Sequence, residues 1–252
     1  EINALDFLKG DGTDETTAFQ TMVSTGKDIC FPRPPVAYGV NGTITLATSN
    51  QRFRGFGKGS LIQCLSSGFN LFAPSQDIDG IEMTHLHLYG AATSDATQQY
   101  VVFSTSSFQI TNSKFLHLTI SGPSAGVGFN NGILFDTNSN DNIVAHCFFE
   151  RLMGTTAGHG YGVHLGSAHR NRILLNRFLG AAGAGRHGVY VGSGSSRNTV
   201  SFNQIRDFNS SLIAIYATAA QDTCLANLVT HNLLEGGSTV APEAGAVELA
   251  GD

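Results

Sequence analysis

A pattern of apolar residues returns about every 30 residues along this chain, and no other feature restricts its fold as strongly. Within each six-residue copy the first and last positions are apolar, and the third usually is as well. An amphipathic helix would need apolar residues spaced by about 3.6, which these copies lack. Successive copies begin 29, 33, 30, 27 and 29 residues apart, at Ile81, Ile110, Ile143, Ile173, Val200 and Val229.

A second group of short apolar segments recurs with the same period. Two short strands per turn cannot bury their inner faces alone, but coils stacked about 4.8 Å apart share one continuous core. The clearest segments begin with a glycine, and looser ones precede and follow them: residues 132–136, 162–166 and 188–192, then residues 100–103, 213–216 and 246–249.

These two series predict an all-β chain, a single right-handed parallel β-helix. A leucine-rich repeat would need a recurring helical segment, and a propeller blade would need four strands per repeat. The fourth position of the last three copies is Asn176, Asn203 and Asn232, and we expect these side chains to stack as a hydrogen-bonded ladder. Residues 1–65 are predicted to form the N-terminal cap and first coils, and residues 66–252 the repeats, in one continuous domain.

The N-terminal segment has the features of a cap for the open end of such a core. Thr13 is a favoured N-cap residue type, and we expect a helix over residues 14–24. Phe19, Met22 and Val23 would lie on one face of that helix and cover the first coil.

The same region resembles the opening of pectate-lyase-like β-helix proteins. The resemblance covers roughly the first 65 residues. The family includes phage tail spikes, capsule depolymerases, alginate epimerases and secreted polysaccharide lyases. The resemblance therefore implies carbohydrate chemistry, an extracellular or virion-associated location and, for tail-spike members, a homotrimer. Its motifs are Asp6-Phe7, residues 10–16 (Gly-Asp-Gly-Thr-Asp-Glu-Thr), residues 18–20 (Ala-Phe-Gln), residues 29–32 (Ile-Cys-Phe-Pro), Tyr38 and residues 53–57 (Phe-Arg-Gly-Phe-Gly).

Charge and composition argue against several other classes of protein. Charged residues make up 13% of the chain and its net charge is -5, unlike the strongly basic face of nucleic-acid binders. No apolar run approaches the roughly 20 residues that cross a bilayer, and no N-terminal signal-peptide pattern is present. Neither zinc-type cysteine spacing, calcium-loop spacing nor an HExxH motif occurs. We therefore expect no metal, no cofactor, no nucleic-acid partner and no membrane insertion.

Strand alternation places chemically capable side chains on one outer face. If the apolar residues between them point inward, Leu134, His164 and Tyr190 point outward. The same alternation predicts that three glycines also face outward and form a groove in which a chain-like ligand approaches the backbone: Gly132, Gly162 and Gly188. Four of the nine histidines fall within residues 159–187, at His159, His164, His169 and His187.

This cluster favours β-elimination on a uronic-acid polymer, with an endo-acting polysaccharide lyase as the predicted activity. Such a reaction needs a cation for the substrate carboxylate, a base for the proton α to it, and an acid for the leaving oxygen. The candidates for these catalytic roles are Arg186 or Arg170 for the carboxylate, His164 or His187 as base, and Tyr190 or Tyr161 as acid. The predicted substrate-binding residues are His159, Arg170, Asn131, Gly162 and Gly188.

Two alternatives remain open. Glu150 and Asp207 follow equivalent apolar positions two coils apart, which would separate their carboxylates by about 9–10 Å, as in an inverting glycosidase. Asp136 offers another carboxylate for such a hydrolase. The second alternative is a non-catalytic spike or adhesin whose repeats only bind glycan.

Tyr161-Gly162-Val163-His164 resembles part of the Tyr-Gly-x-Asp-Pro-His motif of alginate C5-epimerases, but His164 stands in place of the aspartate.

Overall fold

The structure, a computed structural model, is a right-handed parallel β-helix. It describes residues 1–66, 68–90, 100–104, 106–122, 131–152, 160–180, 185–217, 224–236 and 246–251. All strand pairs within its sheets are parallel, and most coils contribute one strand to each of three sheets. Over the described residues, no helix has both the length and the apolar character to cross a membrane.

Three long sheets, A, B and C, run along the helix axis. Sheet A consists of β1 (Ile2–Asn3), β3 (Ile29–Cys30), β6 (Arg52–Arg54), β10 (Glu82–Thr84), β14 (Lys114–Leu116), β17 (Ile143–Ala145), β20 (Arg172–Leu174), β23 (Thr199–Ser201) and β26 (Leu228–Thr230). Sheet B consists of β2 (Asp11–Asp14), β4 (Ala37–Val40), β7 (Leu61–Cys64), β11 (His87–Tyr89), β15 (Thr119–Ser121), β18 (Phe148–Glu150), β21 (Arg177–Leu179), β24 (Gln204–Arg206) and β27 (Leu233–Glu235).

Sheet C is the third long sheet and contains the predicted segments that begin with a glycine. It consists of β5 (Ile44–Leu46), β8 (Phe72–Pro74), β12 (Tyr100–Phe103), β16 (Asn131–Phe135), β19 (Tyr161–Leu165), β22 (His187–Val191), β25 (Ile213–Ala217) and β28 (Val247–Gly251). Two further strands pair with each other, β9 (Ile78–Asp79) and β13 (Ile110–Thr111).

The number of strands per coil differs from the prediction of two. From the third copy onward, a six-residue copy is not one strand but spans the end of a sheet A strand, a corner and the start of a sheet B strand. In the fourth copy Ile173 and Leu174 end β20, Leu175 turns the corner with a φ of 56°, and Arg177 begins β21. Phe178 then points into the core, where it is fully buried.

The register of the repeat also differs from the predicted alignment from the first copy to the fourth. Ile173 pairs with Val144 and not with Ile143, and Val144 pairs with Phe115 and not with Ile110. The coils vary in length, so copies aligned on their first apolar residue fall out of step. The last three copies are aligned as predicted, at Ile173, Val200 and Val229.

The predicted asparagine ladder is present at the corner between sheets A and B. Asn176 donates its side-chain amide to Oδ1 of Asn203 at 3.1 Å, and Asn203 donates to Oδ1 of Asn232 at 3.0 Å. The sequence interpretation missed a second ladder, at the corner that precedes sheet A. Its members are Asn142, Asn171, Asn198 and Asn227.

The N-terminal helix α1 (Thr16–Val23) is shorter than predicted. Phe19, Met22 and Val23 are buried, which confirms the apolar face that covers the core. Thr13 does not cap the helix, because it lies in β2, and the N-cap position is Glu15. Two short 3₁₀ turns are Ala4–Asp6 and Gly57–Gly59.

Candidate functional site

A column of side chains on sheet C faces outward and runs along the helix axis. Leu134, His164 and Tyr190 lie in register on β16, β19 and β22, as predicted. The column continues with Ala214 on β25 and Glu248 on β28. The predicted inward residues are fully buried, namely Ile133, Phe135, Val163, Leu165, Val189 and Val191.

The glycines of sheet C face the core, so the predicted open groove is wrong. A Cβ built on Gly162 would lie 2.5 Å from the Phe178 ring and 2.5 Å from the carbonyl oxygen of Gly188. Glycine is needed here because neighbouring coils approach too closely for any side chain. The other two glycines have the same inward orientation, Gly132 toward Phe149 and Gly188 toward Ile205.

The inward orientation of Gly162 interrupts the regular in-and-out alternation of side chains along β19. Gly162 and Val163 both face inward, so Tyr161 and His164 both face outward. Their rings meet edge to face, with centroids 5.0 Å apart. Two ring-bearing residues of one strand therefore reach the same outer surface, where regular alternation by itself would have separated them.

A cavity of about 350 Å³ lies on this surface and spans β19 to β28. All five residues predicted to be catalytic line it. The lining residues are Tyr161, His164, Arg186, His187, Tyr190, Ala214, Tyr216 and Glu248.

His187 is held in one tautomer by the backbone. Its Nδ1 lies 2.7 Å from the carbonyl oxygen of Ser211. A carbonyl only accepts, so Nδ1 carries the proton and Nε2 keeps its lone pair. The pKa of His187 is lowered to about 4, chiefly by burial and with a contribution from the charge of Arg186, while the Ser211 carbonyl and Glu248 oppose the shift. The ring is therefore neutral at physiological pH, and Nε2 is the nitrogen that can take a proton.

His164 is also neutral and sits among tyrosine rings. Its pKa is lowered to about 4, chiefly by burial and with a contribution from the nearby His187. Its Nδ1 lies 3.3 Å from the hydroxyl of Tyr100, and its ring meets Tyr161 and Tyr190 edge to face. Two neutral imidazoles therefore lie in one cavity, which is the protonation state that a general base requires.

The candidate acid, Tyr190, lies on β22, and the candidate cation, Arg186, directly precedes that strand. Burial raises the pKa of Tyr190 to about 12, with Tyr161 adding to the shift and Arg186 opposing it. The phenol is therefore protonated throughout the physiological range and can donate its proton. Arg186 is half-buried and directly precedes β22, so its guanidinium is presented at the edge of the cavity.

Two predicted substrate-binding residues, Asn131 and Arg170, lie away from the cavity. Asn131 is fully buried and its Oδ1 accepts from the backbone nitrogen of Tyr161 at 2.9 Å, which joins two coils. Arg170 is at the corner before sheet A, where it donates to both carboxylate oxygens of Asp141 at 2.8 and 2.7 Å. It therefore does not share the cavity with Arg186, contrary to the prediction. His159 lies outside the described residues.

Glu150 and Asp207 are not in equivalent positions, which corrects the predicted glycosidase pair. Glu150 is in register with Leu179 and, one coil further, with Arg206. Asp207 lies one residue beyond, at a corner with a φ of 62°, in the column that holds Arg151 two coils earlier. The one-residue difference follows from the shifted register of the repeat.

Asp136 follows β16 and is engaged with its own turn. Its Oδ1 accepts from the backbone nitrogen of Thr137 at 2.8 Å, and it does not appear among the residues that line the cavity. Over the described residues, no group of three or more His, Cys, Asp or Glu side chains is placed to hold a metal ion.

Sequence reasoning missed three residues of the site. Tyr100 contacts His164 across two coils, and Tyr216 and Glu248 line the cavity from β25 and β28. Glu248 had a usable signal, because it continues the outward column of His164 and Tyr190 through Ala214.

The comparisons with known proteins bear on the fold. No protein-family model matches the sequence, and no curated protein matches it. Among solved structures, DFA-IIIase from Arthrobacter chlorophenolicus A6 in complex with GF2 has a TM-score of 0.60, with 12% identity over 94% of this chain and 71% of that one. The fold expected from the resemblance is confirmed.

Two viral proteins are similar at lower TM-scores. ORF18 of Geobacillus virus E2 has a TM-score of 0.49 and 15% identity over 96% of this chain and 58% of that one. The Dettilon tailspike protein has a TM-score of 0.49 and 14% identity over 92% of this chain and 50% of that one. This chain thus spans between half and three fifths of those two proteins.

Proposed function

We propose that this chain is a polysaccharide depolymerase, an endo-acting lyase that cleaves a uronate-containing polysaccharide by β-elimination in the sheet C cavity. The observation that carries the proposal is the set of protonation states in this one cavity. It holds two neutral imidazoles, a protonated phenol and a guanidinium. These are the states that proton abstraction and leaving-group protonation require.

Each residue has a distinct role in the elimination. Arg186 binds the uronate carboxylate, and its charge favours loss of the proton on the adjacent carbon. Nε2 of His187 takes that proton, and the electron pair of the C–H bond forms the new C=C bond. The bond to the leaving oxygen breaks, and Tyr190 gives that oxygen its proton. His187 then returns a proton to Tyr190 through solvent, which restores both groups.

His164 is the second candidate for the base. Its ring is neutral, and it touches Tyr161 and Tyr190 edge to face. We assign the base to His187 because its hydrogen bond to Ser211 decides which nitrogen is protonated, whereas the Tyr100 hydroxyl can donate to His164 or accept from it. In this assignment His164 keeps the tyrosine rings in place.

The length of the sheet C surface supports an endo mode of cleavage. Sheet C continues beyond the cavity for four strands, β16, β12, β8 and β5, so a glycan chain can be bound on coils that lie beyond the cleaved bond. Following the resemblance of the N-terminal segment, we place the protein outside the cell or on a virion. We also propose a homotrimer, which light scattering of the purified protein would test.

A glycoside hydrolase is the second candidate, and the described residues favour it less. A two-carboxylate mechanism needs a pair of Asp or Glu side chains that face one bond. Among the described residues that line the cavity, Glu248 is the one carboxylate. Glu150 and Asp207 lie on or beside sheet B and out of register with each other.

The test is a screen of acidic capsular, alginate, pectic and glycosaminoglycan polymers, in which ultraviolet absorbance and reducing ends are followed together. A lyase raises both, because each cleavage creates an unsaturated uronate and a reducing end. New reducing ends without absorbance would replace the lyase with a hydrolase, and bound but intact polymer would replace it with an adhesin.

Variants make the same screen specific to the cavity. Arg186→Gln and His187→Gln should abolish the absorbance signal. Glu150→Gln and Asp207→Asn should leave it unchanged, since both carboxylates lie outside the cavity. Loss of activity in the second pair of variants, with the first pair active, would move the reaction to another surface.

A further inference from the structure

Glu248 lines the cavity and takes no part in the elimination proposed above. It lies on β28, in register with Ala214, and its side chain is half-buried. Ala214 separates Glu248 from Tyr190 in this column, and its small side chain leaves the carboxylate of Glu248 open to the cavity. A carboxylate placed here needs an explanation, because it would repel the uronate that Arg186 attracts.

Two hydrogen bonds connect Glu248 to the proposed base. The hydroxyl of Ser211 donates to a carboxylate oxygen of Glu248. The carbonyl oxygen of the same Ser211 accepts from Nδ1 of His187 at 2.7 Å. Ser211 is fully buried, which restrains the geometry of both bonds, and the bond to His187 is shielded from water.

We propose that Glu248 is a positioning residue for His187: through Ser211 it holds the imidazole with its proton on Nδ1, and its negative charge stabilises the imidazolium that forms when Nε2 takes a proton. The inference rests on the proposed function of this same cavity. In other enzymes a carboxylate orients the catalytic histidine and stabilises its protonated form. Here Glu248 has that role, and Ser211 lies between the carboxylate and the imidazole.

The electrostatic surroundings of His187 show why such a group is needed. Burial penalises the imidazolium, and the charge of Arg186 adds to the penalty. Glu248 and the Ser211 carbonyl oppose both effects. Without the carboxylate, His187 would be a weaker base. The titratable and charged groups that face it are Arg186 and Tyr190 on its own coil, Tyr161 and His164 on the preceding coil, and Glu248 on β28.

The decisive experiment is nitrogen NMR of the full chain labelled at its histidine side chains, compared among three variants. Glu248→Gln removes the charge and keeps the size of the side chain. Ser211→Ala removes the hydroxyl and keeps the carbonyl. Glu235→Gln is the matched control, because Glu235 is exposed and lies on β27 of sheet B.

We expect the pKa of His187 to fall in both Glu248→Gln and Ser211→Ala and to stay unchanged in Glu235→Gln. The Nδ1–H tautomer should become less populated in Glu248→Gln. On a cleaved polymer, kcat should fall about tenfold to a hundredfold with KM nearly constant, the usual loss when a group that orients an imidazole is removed.

The NMR titration needs no substrate, so it separates this inference from the proposed activity. If no polymer is cleaved while the pKa of His187 falls as expected, the activity is wrong and the relay is supported. An unchanged titration and tautomer of His187 in Glu248→Gln would overturn the relay whatever the activity. Should Glu248→Gln fail to fold, an unchanged titration in Ser211→Ala would overturn it equally.

Discussion

The rings of Tyr161 and Tyr190 lie face to face on neighbouring coils, with centroids 4.9 Å apart and planes 12° from parallel. Tyr216 stacks on Tyr190 from the following coil, at 6.5 Å and 28°. The ring faces of Tyr190 are thus directed at other tyrosines and do not serve as a platform for a sugar ring. Tyr190 therefore meets a substrate through its hydroxyl group, which is the group that the proposed elimination uses.

Replacing Tyr190 by Phe should separate catalysis from packing. The stacked ring remains, so the free energy of unfolding should change by less than about 1 kcal/mol, whereas kcat should fall by a factor of about 10² to 10⁴ with loss of the general acid. Tyr89→Phe is the matched control, because Tyr89 lies on the outer face of sheet B. Steady-state kinetics and denaturant unfolding measure the two effects. Equal kcat in both variants would remove Tyr190 from the reaction.

The buried histidines of the cavity should make the fold sensitive to mild acid. His164 and His187 have pKa values of about 4 in the folded state against an ordinary value of 6.5. The unfolded chain therefore binds more protons between these values, so stability is complete above pH 6.5 and is lost as the pH falls toward 4. Each histidine accounts for about 3 kcal/mol at most, from the free energy of one pKa unit.

Urea unfolding midpoints between pH 7 and pH 4 measure this loss. His164→Asn should flatten the dependence, and His231→Gln should leave it as it is, because His231 is exposed. A midpoint that is constant over this range would show that both cavity histidines titrate normally.

Gly162→Ala tests the inward orientation of the sheet C glycines. The new methyl group would meet the Phe178 ring and the Gly188 carbonyl at 2.5 Å, and overpacking of this kind costs about 1–3 kcal/mol. Gly59→Ala is the control, since its nearest neighbours are atoms of the Arg33 side chain at 3.6 Å or more. Thermal unfolding compares the two variants. Normal stability of Gly162→Ala with weakened glycan binding would instead indicate an outward groove.

The fold was readable from the sequence because the period of the core is a property of the chain itself. Apolar residues at about 30-residue intervals require stacked coils, and the stacking asparagines add a second signal at the same period. The exact register was not readable, because it depends on the length of each coil. Ile143 and Val144 are both apolar, so the sequence does not show that Val144, and not Ile143, pairs with Ile173.

The site was partly readable for the same reason. His164 and Tyr190 share a strand position in consecutive coils, so alternation placed them together. Alternation along the strand predicted that Gly162 faces outward. It faces the core, because neighbouring coils approach there too closely for a side chain. Tyr100 was missed since its contact with His164 crosses two coils, and contacts over that distance depend on side-chain length and direction as well as on position. Glu248 was missed although it continues the outward column of His164 and Tyr190 through Ala214.

Asn203→Ala should destabilise the β-helix more than any neighbouring surface substitution. Asn203 is buried, donates to the carbonyl oxygen of Ile173 at 2.9 Å, and accepts from the backbone nitrogen of Asn176 at 2.9 Å. Alanine leaves both backbone groups without partners inside the corner, at about 1–3 kcal/mol each. Gln204→Ala is the matched control, because Gln204 is the next residue and only half-buried.

Stacked coils do not always unfold in one step, so two measurements are needed for Asn203→Ala. The denaturant midpoint should fall by an amount that corresponds to about 2–6 kcal/mol, the sum over the two backbone groups that lose their partners. Hydrogen exchange should accelerate most at the backbone amide of Asn176, which loses its acceptor, and less at coils further along the axis. A midpoint equal to that of Gln204→Ala would show that the coils are held by their apolar core alone and that the ladder adds nothing to it.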